Sequence, residues 1–340
     1  MKKITNVFVL TTEYHFMLSI SIILSKYSSG EFRNVLVFTG PRLSDVKTDA
    51  LPSYIEVVEI SIDTEVNLKE KIHQQFFSED IQNVFVFIAY RFLETYVLSK
   101  ISKTVKRHLV QDGANFYYEI KKSVFISRLK ETIKIYRNLW SRGFFFTNPV
   151  LYKKHQADSA LIDFVWITNP EIYQEPAIFK RPVRKIELLQ SESDKEILMK
   201  CFSGFQKGEH TDHLIYLSTR LTQPEAIQLE IDLIKSVAAK FKNLTLLVKL
   251  HPYSLIIQVD QFRKEFGMSV IKNYVPAELY IMNAKNSRII GSSSAGMFYE
   301  NPLCKYFSLE KIYQNLKLAP RWIEIKFPLH VRKVESLDEF

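Results

Sequence analysis

The 340-residue sequence has few cysteines and no long apolar segment. Its two cysteines, Cys201 and Cys304, lack the spacing of metal ligands, so the sequence predicts neither a disulfide framework nor a zinc site. No run approaches the roughly 20 apolar residues that cross a bilayer. The start Met1–Lys3 and the short apolar stretch Val7–Leu10 also differ from a signal peptide. These absences predict a soluble, cytoplasmic protein.

The length and the alternation of patterns predict two domains. Short β-rich runs alternate with longer amphipathic stretches along the whole chain, which is typical of doubly wound α/β sheets. The predicted fold class is therefore α/β, with two Rossmann-like domains that face each other across a cleft, the architecture called GT-B. The predicted divisions are 1–185, 186–320 and a tail, 321–340, that packs back on the first domain. The break is placed in Glu171–Glu196, which is rich in proline and polar residues.

The formal net charge of +9 is concentrated in Lys121–Arg142. Apolar residues recur there at spacings of three and four, which predicts a helix with one apolar and one basic face. Such a helix is a surface helix packed on a core, a peripheral contact to the inner membrane, or a site for an acidic ligand. No nucleic-acid-binding signature accompanies the charge, so nucleic acid is not expected as a partner.

Three motifs follow predicted strands, at the sheet edge where open α/β folds bind ligands. In the first, Asp112 comes directly after the strand His108–Val110, and Gly113 permits a tight turn. A carboxylate at this edge is able to point toward a ligand. The dipeptide Asp-Gly is also a common plain turn, so both interpretations remain open at this point.

The second and third motifs lie in the other half of the chain. Lys249 and His251 are two residues apart on a strand that ends at Pro252, so their side chains project to one face. In Gly291–Gly296, the hydroxyls of three serines and the free backbone N–H groups are expected to cap a following helix and hold an anion there. The serines are Ser292, Ser293 and Ser294. The alternatives are a turn after a buried strand and a helix cap without a ligand.

Taken together, the motifs resemble those of the bacterial sialyltransferases: an acidic-acidic-Gly motif, then His-Pro, then paired serines. Here the motifs read Gln111–Gly113, His251–Pro252 and Ser292–Ser294. The opening Phe8–His15 is also similar to that of the lipooligosaccharide sialyltransferases, glycosyltransferase family 52. The resemblance implies a metal-independent, inverting glycosyltransferase that uses CMP-sialic acid and extends a galactoside of a surface glycan, such as lipooligosaccharide or capsule.

The resemblance also implies roles for individual residues. Asp112 is expected to be the general base that deprotonates the acceptor, and His251 to bind the departing phosphate. The remaining residues are expected to hold the donor nucleotide: Lys249 near the cytosine, Glu278 on the ribose, Pro252 beside His251, and Ser292, Ser293 and Ser294 on the phosphate. No cofactor is implied.

One position departs from the family motif, because Gln111 stands where a second acid is usual. Glu225 and Glu230 are therefore reserve candidates for the base, although acids near a helix start are also favoured by the helix dipole. His15, in a turn after the first strand, is a further candidate on the acceptor side.

Two other functions remain open on the sequence alone. The first is a GT-B transferase with another donor, CMP-Kdo or a UDP-sugar. The second is a non-catalytic membrane-surface protein, which the basic Lys121–Arg142 segment would suit. A homodimer is also compatible with the sequence.

Overall fold

The structure is a computed structural model that describes residues 3–40, 43, 46–62, 64, 67–117, 125–144, 152, 156–173, 180–189, 191–202, 205, 210–271, 274–319 and 325–340. For residues 115 and 125–128 it describes the backbone alone. The chain divides into two units, Met1–Asp112 with Ile120–Ser203 and Gly113–Glu119 with Gly204–Phe340.

Among the described residues, the first unit contains seven parallel strands and five α-helices. The strands are β1 (Ile4–Leu10), β2 (Phe32–Phe38), β3 (Ile55–Glu59), β4 (Ile81–Val86), β5 (Lys106–Val110), β6 (Phe164–Ile167) and β7 (Val183–Lys185). The helices are α1 (Glu13–Lys26), α2 (Leu68–Phe76), α3 (Phe92–Lys100), α4 (Phe125–Ser141) and α5 (Glu192–Lys200). The sheet order is β3-β2-β1-β4-β5-β6-β7, so the order reverses between β1 and β4.

Buried polar side chains link five neighbouring strands of this sheet. The Nε1–H of Trp166 donates to Nδ1 of His108 at 3.0 Å, so the proton of the neutral ring lies on Nε2, 3.0 Å from Asn83 Oδ1. The Nδ2 group of Asn83 donates to Asn6 at 2.8 Å, and that of Asn6 to Asn34 at 2.9 Å. Burial lowers the pKa of His108 to about 3, which keeps the ring neutral. We call these five residues the polar ladder.

The second unit repeats the doubly wound plan within its described residues. Its strands are β8 (His210–Thr211), β9 (His213–Leu217), β10 (Thr245–Lys249), β11 (Val270–Ile271), β12 (Ala284–Lys285), β13 (Ser287–Gly291), β14 (Cys304–Ser308) and β15 (Val331–Lys333). Its helices are α6 (Pro224–Lys240), α7 (Ile256–Phe266), α8 (Ala277–Met282) and α9 (Glu310–Asn315). The main sheet has the parallel order β11-β10-β9-β13-β14-β15, which reverses between β9 and β13, while β8 and β12 pair separately.

The observed division of the chain differs from the predicted one. The first unit continues to Ser203 instead of ending at 185, because the residues after α5 pack within it. The N–H of Lys47 donates to the carbonyl of Cys201 at 2.8 Å, and Phe202 forms a bridge with Val46. The tail belongs to the second unit, where β15 extends the sheet next to β14.

Helix α5 lies in the segment that the proline content predicts to be irregular. Its start carries an ordinary capping signal, since Oγ of Ser191 accepts a hydrogen bond from the N–H of Asp194 at 3.1 Å. Two acidic residues, Glu192 and Asp194, occupy the first turn, where the helix dipole favours them. Helix α5 thus begins in the last part of Glu171–Glu196, where the sequence pattern predicts no regular element, and the observed division lies after Ser203.

Gly40 provides a test of the packing at the carboxyl end of β1. A Cβ atom at this position would lie 2.4 Å from the carbonyl oxygen of Thr11, a distance that real contacts do not reach. We expect Gly40→Ala to lower the free energy of unfolding by about 1–3 kcal/mol, because the overlap forces the backbone apart. The matched control is Gly30→Ala, where a Cβ meets nothing within 4 Å. Urea unfolding of both variants measures the effect, and equal stabilities would refute the steric explanation.

Candidate active site

In the first unit, His15 and Asp112, both predicted from the sequence, meet at the carboxyl ends of β1 and β5. Thr11, which was not predicted, contacts His15. Nε2 of His15 lies 3.1 Å from Oδ1 of Asp112. On the other side of the ring, the N–H of Thr11 donates to Nδ1 at 3.3 Å. His15 is 1% exposed, whereas the side chain of Asp112 is 29% exposed. The carboxylate is therefore accessible while its histidine partner is buried.

These contacts fix the orientation of the His15 ring. Because Nδ1 accepts the hydrogen bond from Thr11, the proton of the neutral ring lies on Nε2 and is donated to Asp112. The ring also stacks on Phe87, with centroids 4.0 Å apart. His15 thus holds one carboxylate oxygen of Asp112 in place, and we call the two residues the His-Asp pair.

Gln111, at the position of the missing acid, has a structural role in the fold. Its side-chain oxygen accepts hydrogen bonds from the N–H and the hydroxyl of Thr168 at 2.9 and 3.0 Å. Its amide nitrogen donates to the hydroxyl of Tyr14 at 3.0 Å. The buried amide therefore ties the end of β5 to the residue that follows β6.

A cavity of about 440 Å³ lies at the carboxyl ends of β2 and β3, in the same unit. Its lining includes Gly40, the hydroxyl residues Thr39, Ser61 and Thr64, and the charged residues Glu59 and Arg142. Gly40 packs against the carbonyl of Thr11, whose N–H contacts His15, so the cavity neighbours the His-Asp pair. The guanidinium of Arg142 lies 5.1 Å from the ring centre of Phe92 and donates to the carbonyl of Ile62 at 3.2 Å.

In the second unit, Lys249 and Glu278 interact beneath the carboxyl edge of the sheet. Both side chains are 4% exposed. Burial raises the pKa of Glu278 to about 7, and the positive charge of Lys249 acts against this rise. Lys249 is the last residue of β10, and Glu278 lies in the first turn of α8. The structure thus brings these two predicted donor-site residues together.

His251 follows β10 in a turn that orients its ring. The N–H of Tyr253 donates to Nδ1 of His251 at 3.1 Å, so the proton of the neutral ring lies on Nε2. Pro252 precedes Tyr253 and shares this turn, in which the N–H of Ser254 donates to the carbonyl of His251 at 2.9 Å. The neutral His251 ring is therefore oriented to donate a hydrogen bond through Nε2.

The serine motif follows β13, whose last residue packs closely against the last residue of β9. A Cβ on Gly291 would lie 3.1 Å from Leu217 Cβ, and one on Gly296 would lie 3.0 Å from Ile281, so both glycines are closely packed. Ser292 is 2% exposed, and its hydroxyl has no hydrogen-bond partner among the described residues. A buried hydroxyl without a partner costs about 1–3 kcal/mol, which favours a ligand that supplies one.

The other two serines lie at the half-buried start of a short turn. Oγ of Ser294 accepts a hydrogen bond from the N–H of Gly296 at 3.3 Å, while Ser293 precedes it. The element that follows is a four-residue 3-10 helix, Ala295–Phe298, and not the α-helix that the sequence predicts. Ser294 therefore caps the element that follows, as expected. This element is too short to provide the dipole of a long helix.

The reserve acids Glu225 and Glu230 occupy different environments in the second unit. Glu225 is exposed in the first turn of α6, as the helix dipole favours. Glu230 is fully buried and accepts hydrogen bonds from the Ser218 hydroxyl at 2.8 Å, the Thr219 N–H at 3.2 Å and the Tyr313 hydroxyl. Burial raises the pKa of Glu230 to about 7, against the lowering effect of these donors. Its contacts are those of a residue that holds the loop after β9, a role that the sequence pattern did not indicate.

The basic segment of the first unit forms helix α4, as predicted. Lys121 and Lys122 lie outside the described residues, as does the side chain of Arg128. Three large apolar side chains of the helix are exposed: Leu129 by 43%, Ile133 by 58% and Trp140 by 52%. No helix in the described part of the chain combines the length and apolarity that a bilayer crossing needs.

Comparison with known proteins identifies relatives in sequence and in fold. The profile of a family described as "Alpha-2,8-polysialyltransferase (POLYST)" matches residues 3–311. No curated protein matches the chain. A sialyltransferase from Photobacterium damsela has a similar structure, with a TM-score of 0.53, 13% identity and coverage of 97% of this chain and 81% of that one.

Two further structures match with lower TM-scores. The S. aureus MnaA–UDP co-structure scores 0.48 at 12% identity, covering 91% of this chain and 79% of that one. The E. coli ADP-heptose lps heptosyltransferase II scores 0.41 at 12% identity, covering 97% and 89%. The Photobacterium enzyme and the two doubly wound sheets confirm the predicted α/β fold of the GT-B class.

The buried carboxyl of Glu230 predicts a pH-dependent stability. Its pKa rises from an ordinary 4.5 to about 7 on folding, so the folded protein favours the protonated form. The contribution of Glu230 to the free energy of unfolding is then highest below pH 4.5, falls by about 1.4 kcal/mol per unit as the pH rises to about 7, and is constant above that. Between pH 5 and 8, we expect Glu230→Gln to gain about 2–3 kcal/mol relative to the wild type in urea unfolding.

The comparison isolates Glu230 because both proteins retain Glu94 and Glu278. Burial raises the pKa of each of these carboxyls to about 7 as well, so they give the same slope in the wild type and in the variant. Parallel pH profiles for the two proteins would show that Glu230 does not titrate in this range.

Proposed function

The chain belongs to the alpha-2,8-polysialyltransferase family, and from this membership we propose that it transfers sialyl residues from CMP-sialic acid to a hydroxyl group of a glycan. The family profile spans residues 3–311 and supports sialyl transfer as the general activity of an enzyme. The donor, the acceptor and the stereochemistry are proposed here from the residues. Membership in the lipooligosaccharide sialyltransferase family is a narrower hypothesis.

The second unit supplies the groups that suit a cytidine monophosphate donor. The observation that carries the proposal is a set of three buried groups: Lys249 at the end of β10, Glu278 in the first turn of α8, and the hydroxyl of Ser292 after β13, which has no partner among the described residues. In this assignment Glu278 binds the ribose hydroxyls and Ser292–Ser294 bind the phosphate. His251 donates its Nε2 proton toward the departing phosphate oxygen, which stabilises the leaving group.

The first unit supplies the base in this proposal. Asp112 takes the proton of the acceptor hydroxyl as its oxygen attacks the anomeric carbon, while the bond from that carbon to the CMP phosphate breaks. His15 binds one carboxylate oxygen, so the other is left to act on the acceptor. A single displacement inverts the anomeric configuration. The donor has one phosphate, and the sequence contains no Asp-X-Asp motif next to a strand, so we propose catalysis without a metal ion.

Two acceptors are consistent with these observations. The similarity to lipooligosaccharide sialyltransferases favours a terminal galactoside of a surface glycan. The family description favours a terminal sialic acid, and we place this acceptor first because the profile covers most of the chain. The cavity next to the His-Asp pair offers hydroxyl groups, the Phe92 ring and the cation of Arg142, a combination suited to a carboxylated sugar.

Transfer assays with purified protein test the proposal. We expect CMP-sialic acid to be consumed with a short α2,8-linked oligosialic acid as acceptor, and more slowly with lactose. CMP is expected to raise Tm by mass action, and UDP and ADP are not. Stabilisation by UDP alone would favour a UDP-sugar donor instead, and transfer from CMP-Kdo would identify the other alternative. A folded protein that neither binds CMP nor turns over the donor would refute the proposed function.

The base assignment has its own variant. Asp112→Asn is expected to lower kcat by at least about 100-fold, because general base catalysis contributes that much, and to leave CMP affinity unchanged. Asp49→Asn, an exposed acid of the same unit, is the control and should keep full activity. An active Asp112→Asn enzyme would exclude Asp112 as the base and leave the donor assignment standing.

We further propose that helix α4 contacts an anionic membrane surface, which would place the enzyme beside a membrane-bound glycan. Leu129, Ile133 and Trp140 lie within about 40° of one another around the helix axis, at 3.6 residues per turn. Lys130 and Arg137 lie on one side of this apolar stripe, about 40–60° from its edge, and are exposed. Exposed apolar groups next to cations suit the interface of an anionic bilayer.

Vesicle sedimentation tests this contact. The wild type is expected to sediment with vesicles that contain phosphatidylglycerol and to be released by high salt, because the contact is partly electrostatic. The double variant Ile133→Gln, Trp140→Gln should bind several-fold less. The control is Met268→Gln, at a 98% exposed side chain of the second unit. If the double variant sediments like this control, α4 is not the contact.

A further inference from the structure

The second sheet has a third strand end at the candidate donor site, which no sequence motif indicates. β9 lies between β10 and β13, and its last residue, Leu217, pairs with Lys249 on one side and Gly291 on the other. The three strands are parallel and about 4.8 Å apart. Ser218–Arg220, directly after Leu217, therefore emerge between the His251 turn and the serine motif. This position is also the point where the strand order reverses, the usual ligand position in doubly wound sheets.

Buried hydrogen bonds hold the loop after β9 in one conformation. The N–H of Ser218 donates to the carbonyl of Lys249 at 3.0 Å. The carboxyl of Glu230 accepts from Ser218 and from the N–H of Thr219, and Gln258 donates to the carbonyl of Thr219 at 2.8 Å. Tyr313 in turn donates to Glu230. A loop that three buried side chains hold in place presents its remaining groups at a defined position, as a preformed binding site requires.

Three hydroxyls on these adjacent strand ends lack partners among the described residues. They belong to Thr219 after β9, Ser254 after β10 and Ser292 after β13, and their oxygens are buried. Ser254 is 7% exposed and Ser292 is 2% exposed. A buried hydroxyl without a hydrogen-bond partner destabilises the folded protein. Three of them around one sheet edge indicate a polar ligand that accepts hydrogen bonds.

The loop also carries a cation, Arg220. Arg220 is exposed, and no carboxylate in the described part of the chain forms an ion pair with it. A guanidinium offers five N–H donors in a planar fork, which matches the oxygens of a phosphate or carboxylate. Its position one residue after Thr219 places this charge beside the unpartnered hydroxyls.

We propose that Thr219 and Arg220 form the central wall of the donor site and bind an oxyanion of the donor. The inference rests on the proposed function, since CMP-sialic acid is the donor considered. That molecule carries two oxyanions, the phosphate and the sialyl carboxylate, and both are recognised by the same chemistry of hydroxyl and guanidinium donors. Glu230 acts as a positioning residue that sets the loop without touching the ligand.

Isothermal titration with three ligands tests the proposal: CMP, cytidine and CMP-3-fluoro-sialic acid, which resists transfer. Arg220→Gln removes the charge, and Thr219→Val removes the hydroxyl at nearly constant shape. Arg263→Gln, at an exposed arginine in the last turn of α7, is the matched control. We expect Arg220→Gln to weaken binding of an anionic ligand by about 10- to 100-fold, the effect of losing a charge-assisted hydrogen bond. Thr219→Val should weaken it by several-fold, and neither change should affect cytidine.

The three ligands separate the outcomes. Equal losses for CMP and the fluorinated donor assign Arg220 to the phosphate, and a loss for the fluorinated donor alone assigns it to the carboxylate. Variants that bind all three ligands as tightly as Arg263→Gln does would overturn the inference while leaving the proposed function intact. A folded wild type that binds neither CMP nor the fluorinated donor would instead refute the proposed function.

Discussion

Strand register is the constraint on which both candidate half-sites depend, and the polar ladder fixes it in the first unit. A slip of one residue in any of its strands would turn a buried amide or ring away from its partner, at about 1–3 kcal/mol for each orphaned group. With His108 held in this way, Asp112 lies four residues further along the chain, beside His15. The accessible carboxylate is thus positioned by side chains that lie in the interior of the first unit, such as His15 and His108.

The second unit achieves the same precision by close packing. Gly291 and Gly296 both pack closely on Leu217, which allows the ends of β9 and β13 to lie together. The backbone of Leu217 also pairs with that of Lys249, so three strand ends meet at one level. The buried carboxyls of this unit then have separate tasks: Glu278 faces Lys249, whereas Glu230 is enclosed by the donors of the β9 loop.

Much of this arrangement could be predicted from the sequence, because strands and strand ends have local signals. The β-rich runs before Asp112, His251 and Ser292 all form strands. The order of the three motifs along the chain suggests a sialyltransferase. Burial depends on distant residues and could not be predicted locally. Glu230 resembles a helix N-terminal acid in sequence, yet Tyr313 lies 83 residues away and turns it into a buried support. Arg220 belongs to no motif. Its position near the serine motif follows only from the register of β9 with β10 and β13.

The polar ladder also bears on how the first unit folds. Its bonds join residues 28, 77, 25 and 58 positions apart in the chain, so none of them closes by local contact. Contacts between distant segments form slowly, because loop-closure entropy must be overcome before they stabilise the chain. Until β1, β4 and β5 are assembled, the amides of the ladder remain hydrated by water. A nascent chain therefore cannot complete the ladder before β6 has been synthesised.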